Sequence, residues 1–253
     1  MNNIAYLSKE ELRRKIITND LRRKSLNLSE YSLHDFPAAV LELAELEKLD
    51  LAGKKLTTTP ENVGKLYNLT ELNVNHNHLS IFLASLTQLK KLKVLDISHN
   101  ELTTIPDAIG EMTLITIPDA IGEMIGLEEL KLRDNQLTVL STAIKRLKKL
   151  TKLNISNNRL TTIPDAIGEM IGLKELKLSD NQLTVLSPAI KQLTKLPKLN
   201  ISNNTLTTIP DAIGGMVEVE GLRLSSNQLT VFSPAIKQLK KLKGLDISQP
   251  NHA

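Results

Sequence analysis

His76 and His99 lie 23 residues apart, each immediately before an asparagine, and Asp134 takes the same place one repeat later. Two imidazoles and a carboxylate are donors that a transition metal accepts. Copies of one position on adjacent strands would lie about 5 Å apart, so the trio would span about 10 Å, with an insertion between His99 and Asp134. That geometry favours surface histidines over a metal centre, with affinity or stability falling on acidification. His76 and His99 are therefore assigned to a binding surface, and no metal or cofactor is expected.

A second set is polar and longer. Four residues before each of these asparagines, or before the residue standing in its place, come Asn27, Asp50, Asn73, Asp96, Lys131, Asn154, Lys177, Asn200, Arg223 and Asp246. Acidic or neutral residues fill the column up to Asp96, and its basic residues come only after the insertion. Ten strands would extend it to roughly 45 Å. A protein partner of complementary charge would read such a stripe, although solvent-facing strand positions must be polar in any case. Chemistry of other kinds finds no support: there is no cysteine, no phosphate-cradling glycine loop, and no histidine joined to a nucleophile in a recognisable motif. Serines such as Ser156 and Ser202 recur at solvent positions. The chain is not expected to be an enzyme.

What must position these residues is a repeat. L-x-x-L-x-L-x-x-N-x-L recurs with its asparagine at Asn77, Asn100, Asn135, Asn158, Asn181, Asn204 and Asn227, spaced by 23 except for one gap of 35. A period of this length means stacked supersecondary units in place of one globular core. Within Leu173 to Leu196, Leu176 and Leu178 alternate with Glu175, Lys177 and Ser179, the pattern of a short strand with one buried face. Leu183, Leu186, Ile190 and Leu193 complete the layer. The asparagine amide, which both donates and accepts, suits a ladder that satisfies the turn leaving the strand. Alternate return segments read TTIPDAIGEM, as at Thr161 to Met170, where Pro-Asp opens a brief helical or 3₁₀ turn and Gly168 limits it.

These residues resemble the leucine-rich-repeat superfamily, in its 23-residue class, as in Ras-suppressor and Scribble-like proteins and bacterial members. The resemblance covers about residues 21–250. It implies an α/β solenoid shaped as a horseshoe, a concave parallel sheet, a convex side of short helical turns, and the binding of a macromolecular partner without catalysis.

Departures cluster at the ends and the middle. Tyr31 and Lys54 replace the ladder asparagine early, and Pro250 replaces it last. Ser8 with Glu11 forms a plausible capping box, so residues 1–20 read as a capping helix and 21–253 as a solenoid of about ten repeats. IPDAIGEM occurs twice, from Ile105 and from Ile117. The doubling places a 12-residue insertion within 105–124, extruded from the return side and tolerated as a surface loop. The C-terminal end reads as uncapped, which suggests a homodimer through that end.

Composition narrows the field. The absence of cysteine and of an apolar leader suggests a cytoplasmic, reducing compartment, and no stretch is long enough to span a membrane. A net charge of +4 is mild. Lysine-rich return segments such as Lys145 to Lys149 alternate with acidic ones, which makes nucleic acid an unlikely partner. Behind the leading reading stand a dimeric scaffold or regulator of a signalling or immune enzyme, and a weak nucleic-acid or metal binder.

Overall fold

The computed structural model describes residues 24–31, 33, 35–81, 84–102 and 119–248. The helix expected over 1–20, the first IPDAIGEM copy and Pro250 lie outside them. Ten three-residue strands follow in order: β1 (Ser25–Asn27), β2 (Lys48–Asp50), β3 (Glu71–Asn73), β4 (Val94–Asp96), β5 (Glu129–Lys131), β6 (Lys152–Asn154), β7 (Glu175–Lys177), β8 (Lys198–Asn200), β9 (Gly221–Arg223) and β10 (Gly244–Asp246). They form one open parallel sheet in sequence order. The middle leucine of each strand faces inward, and from Leu49 to Leu222 it is almost wholly buried. Burial on one face and polarity on the other is what alternation requires.

Register explains how the long gap is absorbed. Leu95 pairs with Leu130 across the 35-residue interval just as Leu72 pairs with Leu95 across an ordinary one. The register on the two sides of the long gap is therefore unbroken. It is the second IPDAIGEM copy that builds the layer: Asp119–Glu123 forms the 3₁₀ turn and buries Ile121, in the place that Asp165–Glu169 takes two repeats later.

The return segments are five-residue 3₁₀ turns. Pro164, extended at φ −66° and ψ 150°, opens one of them. Met170 closes it by donating to the Ile167 carbonyl at 3.1 Å. The segments come in two kinds that interlock. Ser187 Oγ donates to Asp165 of the preceding segment at 2.5 Å and accepts from the Ala189 amide at 3.0 Å. Ser233 repeats the pattern with Asp211 and Ala235. From Asp119 to Gln238, Asp-containing and Ser-capped turns thus alternate, with a period of two repeats.

The asparagine ladder is the polar spine. Asn181 accepts from the Leu160 amide at 3.0 Å and donates to the Ile155 carbonyl of the repeat before at 3.0 Å. It also donates to Leu178 and Ser179, both at 3.2 Å. One buried amide thereby ties two layers together. Lys54, the substitute in the second repeat, is itself buried. Its ammonium donates to the Ser29 carbonyl at 2.5 Å and to that of Tyr31, which reaches the first layer by a longer arm.

From Lys54 to Asn227 the residue before each ladder site is left-handed. Gly53 has φ 68°, His76 51°, His99 53°, Asp134 53°, Asn157 53°, Asp180 57°, Asn203 53° and Ser226 53°. Glycine, asparagine, aspartate and histidine tolerate that region best among the amino acids. The backbone turn therefore accounts for the residue types of this column.

Candidate functional site

The sequence-derived column is the third position of every strand, from Asn27 in β1 to Asp246 in β10. Most of its members already have a backbone task. The Oδ1 of Asp50 accepts from Ala52 at 2.9 Å, that of Asn73 from Asn75 at 3.1 Å, and that of Asp96 from Ser98 at 3.0 Å. Asn154 and Asn200 accept from Ser156 and Ser202 at 3.1 Å. These are Asx turns that close the strand ends. A short polar side chain at this position thus serves the fold before any partner. The Asn-x-Ser and Asp-x-Ser spacing carried that signal in the sequence.

Lys131, Lys177 and Arg223 cannot make this bond and stand out for that reason. Lys131 lies 3.4 Å from Asp96 and 3.3 Å from Glu129, and Lys177 lies 2.5 Å from Glu175. Arg223 makes no ion pair within reach among the described residues. On the outward face of β1–β4, Lys48 stands against Glu71, Asp50 and Asp96. On β5–β10, Lys131, Lys152, Lys177, Lys198 and Arg223 stand against Glu129, Glu175 and Asp246. The face is dipolar, and its sign changes at the β4–β5 junction.

Two depressions follow this division. A groove of about 730 Å³ crosses β7–β10 and is lined by Lys177, Lys198, Gly221, Arg223, Gly244 and Leu245. A smaller one of about 310 Å³ lies over the acidic half, beside Asp50, Glu71, Asn73 and Asp96. The larger was not visible in the sequence, because it depends on side chains missing at Gly221 and Gly244.

The boundary is held by a charge chain. Burial pushes the Glu129 carboxyl up, but Lys152 at 3.1 Å and Lys131 outweigh it and hold the group below its ordinary value of 4.5. A depressed carboxylate contributes stability that is present above its unfolded value and lost as pH falls through the folded one. Between about pH 5 and about pH 3 the wild type should therefore lose stability more steeply than Glu129→Gln. Urea midpoints across that range check this, and parallel curves would contradict it.

His76 and His99 stack with ring centroids 4.0 Å apart and planes 8° from parallel. His99 Nε2 lies 3.1 Å from Asp134 Oδ2, so the insertion does not separate the two. Arg133 Nε lies 2.7 Å from the same carboxylate oxygen. Among the described residues no group of three or more histidines, aspartates or glutamates is arranged to hold a metal. On the return side the lysines pair across repeats, as Lys145 and Lys148 do with Glu169 at 3.3 and 3.5 Å. Among the described residues no helix is long and apolar enough to cross a membrane.

An open parallel sheet with one strand per 23-residue repeat, an asparagine ladder and a groove on the strand face define a solenoid interaction module. The profile described as "Leucine rich repeat" matches residues 125–229 in three overlapping placements, and "Leucine Rich repeats (2 copies)" matches 67–110. Between them they span more than half of the chain, which belongs to the leucine-rich-repeat family. It is similar to a Leptospira interrogans leucine-rich-repeat protein, at 28% identity over 97% of this chain and 70% of that one, with a TM-score of 0.66. The ectodomain of the Arabidopsis thaliana receptor kinase GASSHO1/SCHENGEN3, in complex with CASPARIAN STRIP INTEGRITY FACTOR 2, matches at 30% identity and a TM-score of 0.75. The plant peptide hormone receptor RGFR1, in complex with RGF2, matches at 29% and 0.67. This chain is covered to 88% by each of the two plant receptors but spans only 26% and 39% of their lengths. No curated protein matches it.

Proposed function

We propose that this chain is a non-catalytic module that holds a protein or peptide partner on the outward, concave face of its sheet, chiefly over β5–β10. The observation that carries this is the groove across β7–β10, where Lys177 and Arg223 interrupt a column otherwise occupied by strand-end Asx turns. The two plant receptors, each solved with a partner, support a peptide or protein ligand. The cysteine-free composition supports a reducing compartment. Affinity capture with purified chain tests the face. Lys177→Glu with Arg223→Glu should cut the retained partner by about tenfold, whereas Lys237→Glu on the return side should not. Capture indifferent to the first pair would move the site off the sheet.

A second reading concerns the β10 end. Phe232 is 44% exposed, Leu245 42% and Ile247 40%, while their counterparts one repeat earlier, Ile209, Leu222 and Leu224, are 4%, 1% and 0% exposed. An apolar layer beside an open parallel edge favours association, and we propose a homodimer through this end that presents two sheet faces as a scaffold. Sedimentation at tens of micromolar should show a dimer that Leu245→Lys with Ile247→Lys converts to monomer. A wild-type monomer would remove this reading.

A further inference from the structure

Lys131, Lys177 and Arg223 share one position on β5, β7 and β9. Two strand spacings separate successive cations, about 9.6 Å at roughly 4.8 Å per strand. The strands between them present Asn154 and Asn200, uncharged and bonded down to Ser156 and Ser202. At this position the basic half therefore carries a cation on every second strand, a comb with a regular tooth that β1–β4 lack, while Lys152 and Lys198 stand at the first position of the strands between.

That spacing selects a conformation for whatever lies across it. A polyproline II helix has three residues per turn and rises about 3.1 Å per residue, so every third side chain falls on one face about 9.3 Å from the last. In a β-strand, residues three apart point to opposite faces. An α-helix rises only about 1.5 Å per residue and would need six or seven residues per tooth. We infer that the basic half of the sheet binds an extended polyproline II segment that carries a carboxylate at every third residue, laid across the strands.

The floor of the groove agrees with this. Gly221 and Gly244 take the first strand position, where β7 and β8 carry Glu175 and Lys198. A Cβ at Gly244 would meet nothing, and one at Gly221 only Lys198 Cγ at 3.6 Å. Packing therefore does not require either glycine. Their effect is to clear space beside Arg223 on the outward face. Lys198, on the flank, makes no ion pair among the described residues and is available to a second carboxylate.

This inference rests on the sheet-face reading and adds the chemistry of the partner. The test is fluorescence anisotropy at low salt with the full chain and two labelled peptides of one composition: three Glu-Pro-Pro units, and three glutamates followed by six prolines. The first should bind about tenfold more tightly, since the second can seat only one carboxylate of three on the comb. Lys177→Ala with Arg223→Ala should remove the preference, and Lys237→Ala should leave it. Equal binding of the two peptides, no binding of either, or a preference that survives Lys177→Ala with Arg223→Ala overturns the inference. If the peptides fail while partner capture still depends on Lys177 and Arg223, only the partner's chemistry is wrong; if capture is indifferent as well, the sheet-face reading falls with it.

Discussion

Replacing Asn181 with alanine is expected to lower the unfolding free energy by about 3 to 5 kcal/mol. The side chain is almost fully buried and serves four backbone groups in two repeats: the Leu160 amide and the carbonyls of Ile155, Leu178 and Ser179. Alanine strands the Leu160 amide, at about 1 to 3 kcal/mol, and takes one bond each, at about 0.5 to 1.5 kcal/mol, from the three carbonyls, which keep Asn158, Asn204 and the Asn157 amide as donors. Stability in a solenoid is close to a sum of repeat and nearest-neighbour terms. Damage at the sixth and seventh strands should therefore also weaken coupling between the two halves, and the urea transition should broaden or split. Gln182→Ala, at the exposed next residue, should stay within about 0.5 kcal/mol. An Asn181→Ala midpoint equal to wild type would remove the ladder from the account of stability.

The second large effect is expected at Gly168. By propensity alone, alanine in place of glycine in a helical turn stabilises by roughly 0.5 to 1 kcal/mol. Here the sign should reverse, to a loss of about 1 to 3 kcal/mol. An added Cβ would sit 2.6 Å from the Ala189 carbonyl oxygen and 2.7 Å from Gln192 Oε1. The carbonyl cannot rotate away without loosening the interlock of Asp165 with Ser187. Gly172, four residues on, gives the contrast: its nearest atoms are backbone oxygens at 3.5 Å, so Gly172→Ala should be neutral within about 0.5 kcal/mol. Thermal melts of the two variants decide this, and a stabilised Gly168→Ala would show the turns to be loosely packed.

The repeating features were legible in the sequence because they answer to period. The alternation of Leu176 with Glu175 and Lys177, and the recurrence of asparagine, are local signals with one physical solution each. Two columns carried a second meaning that period alone does not expose. The set running Gly53, His76, His99, Asp134, Asn157 reads as chemistry when only its histidines are noticed, but as a left-handed turn when all of it is. The polar stripe likewise reads as a uniform binding surface until the Asx bonds separate Asn154 and Asn200 from Lys177 and Arg223. The groove at β7–β10 was hidden for another reason. It arises from what Gly221 and Gly244 leave out, across strands 23 residues apart in sequence, and no single-repeat pattern reports an empty space.

In the proposed function the basic half of the strand face, and not the return side, meets the partner. A photoactivatable cross-linking residue placed at Lys198, on the rim of the groove, and separately at Gln238, in the last 3₁₀ turn, tests it most directly. A covalent adduct is expected from position 198, lost when Lys177 and Arg223 are reversed in charge, and none from position 238. An adduct from 238 with 198 silent would contradict it.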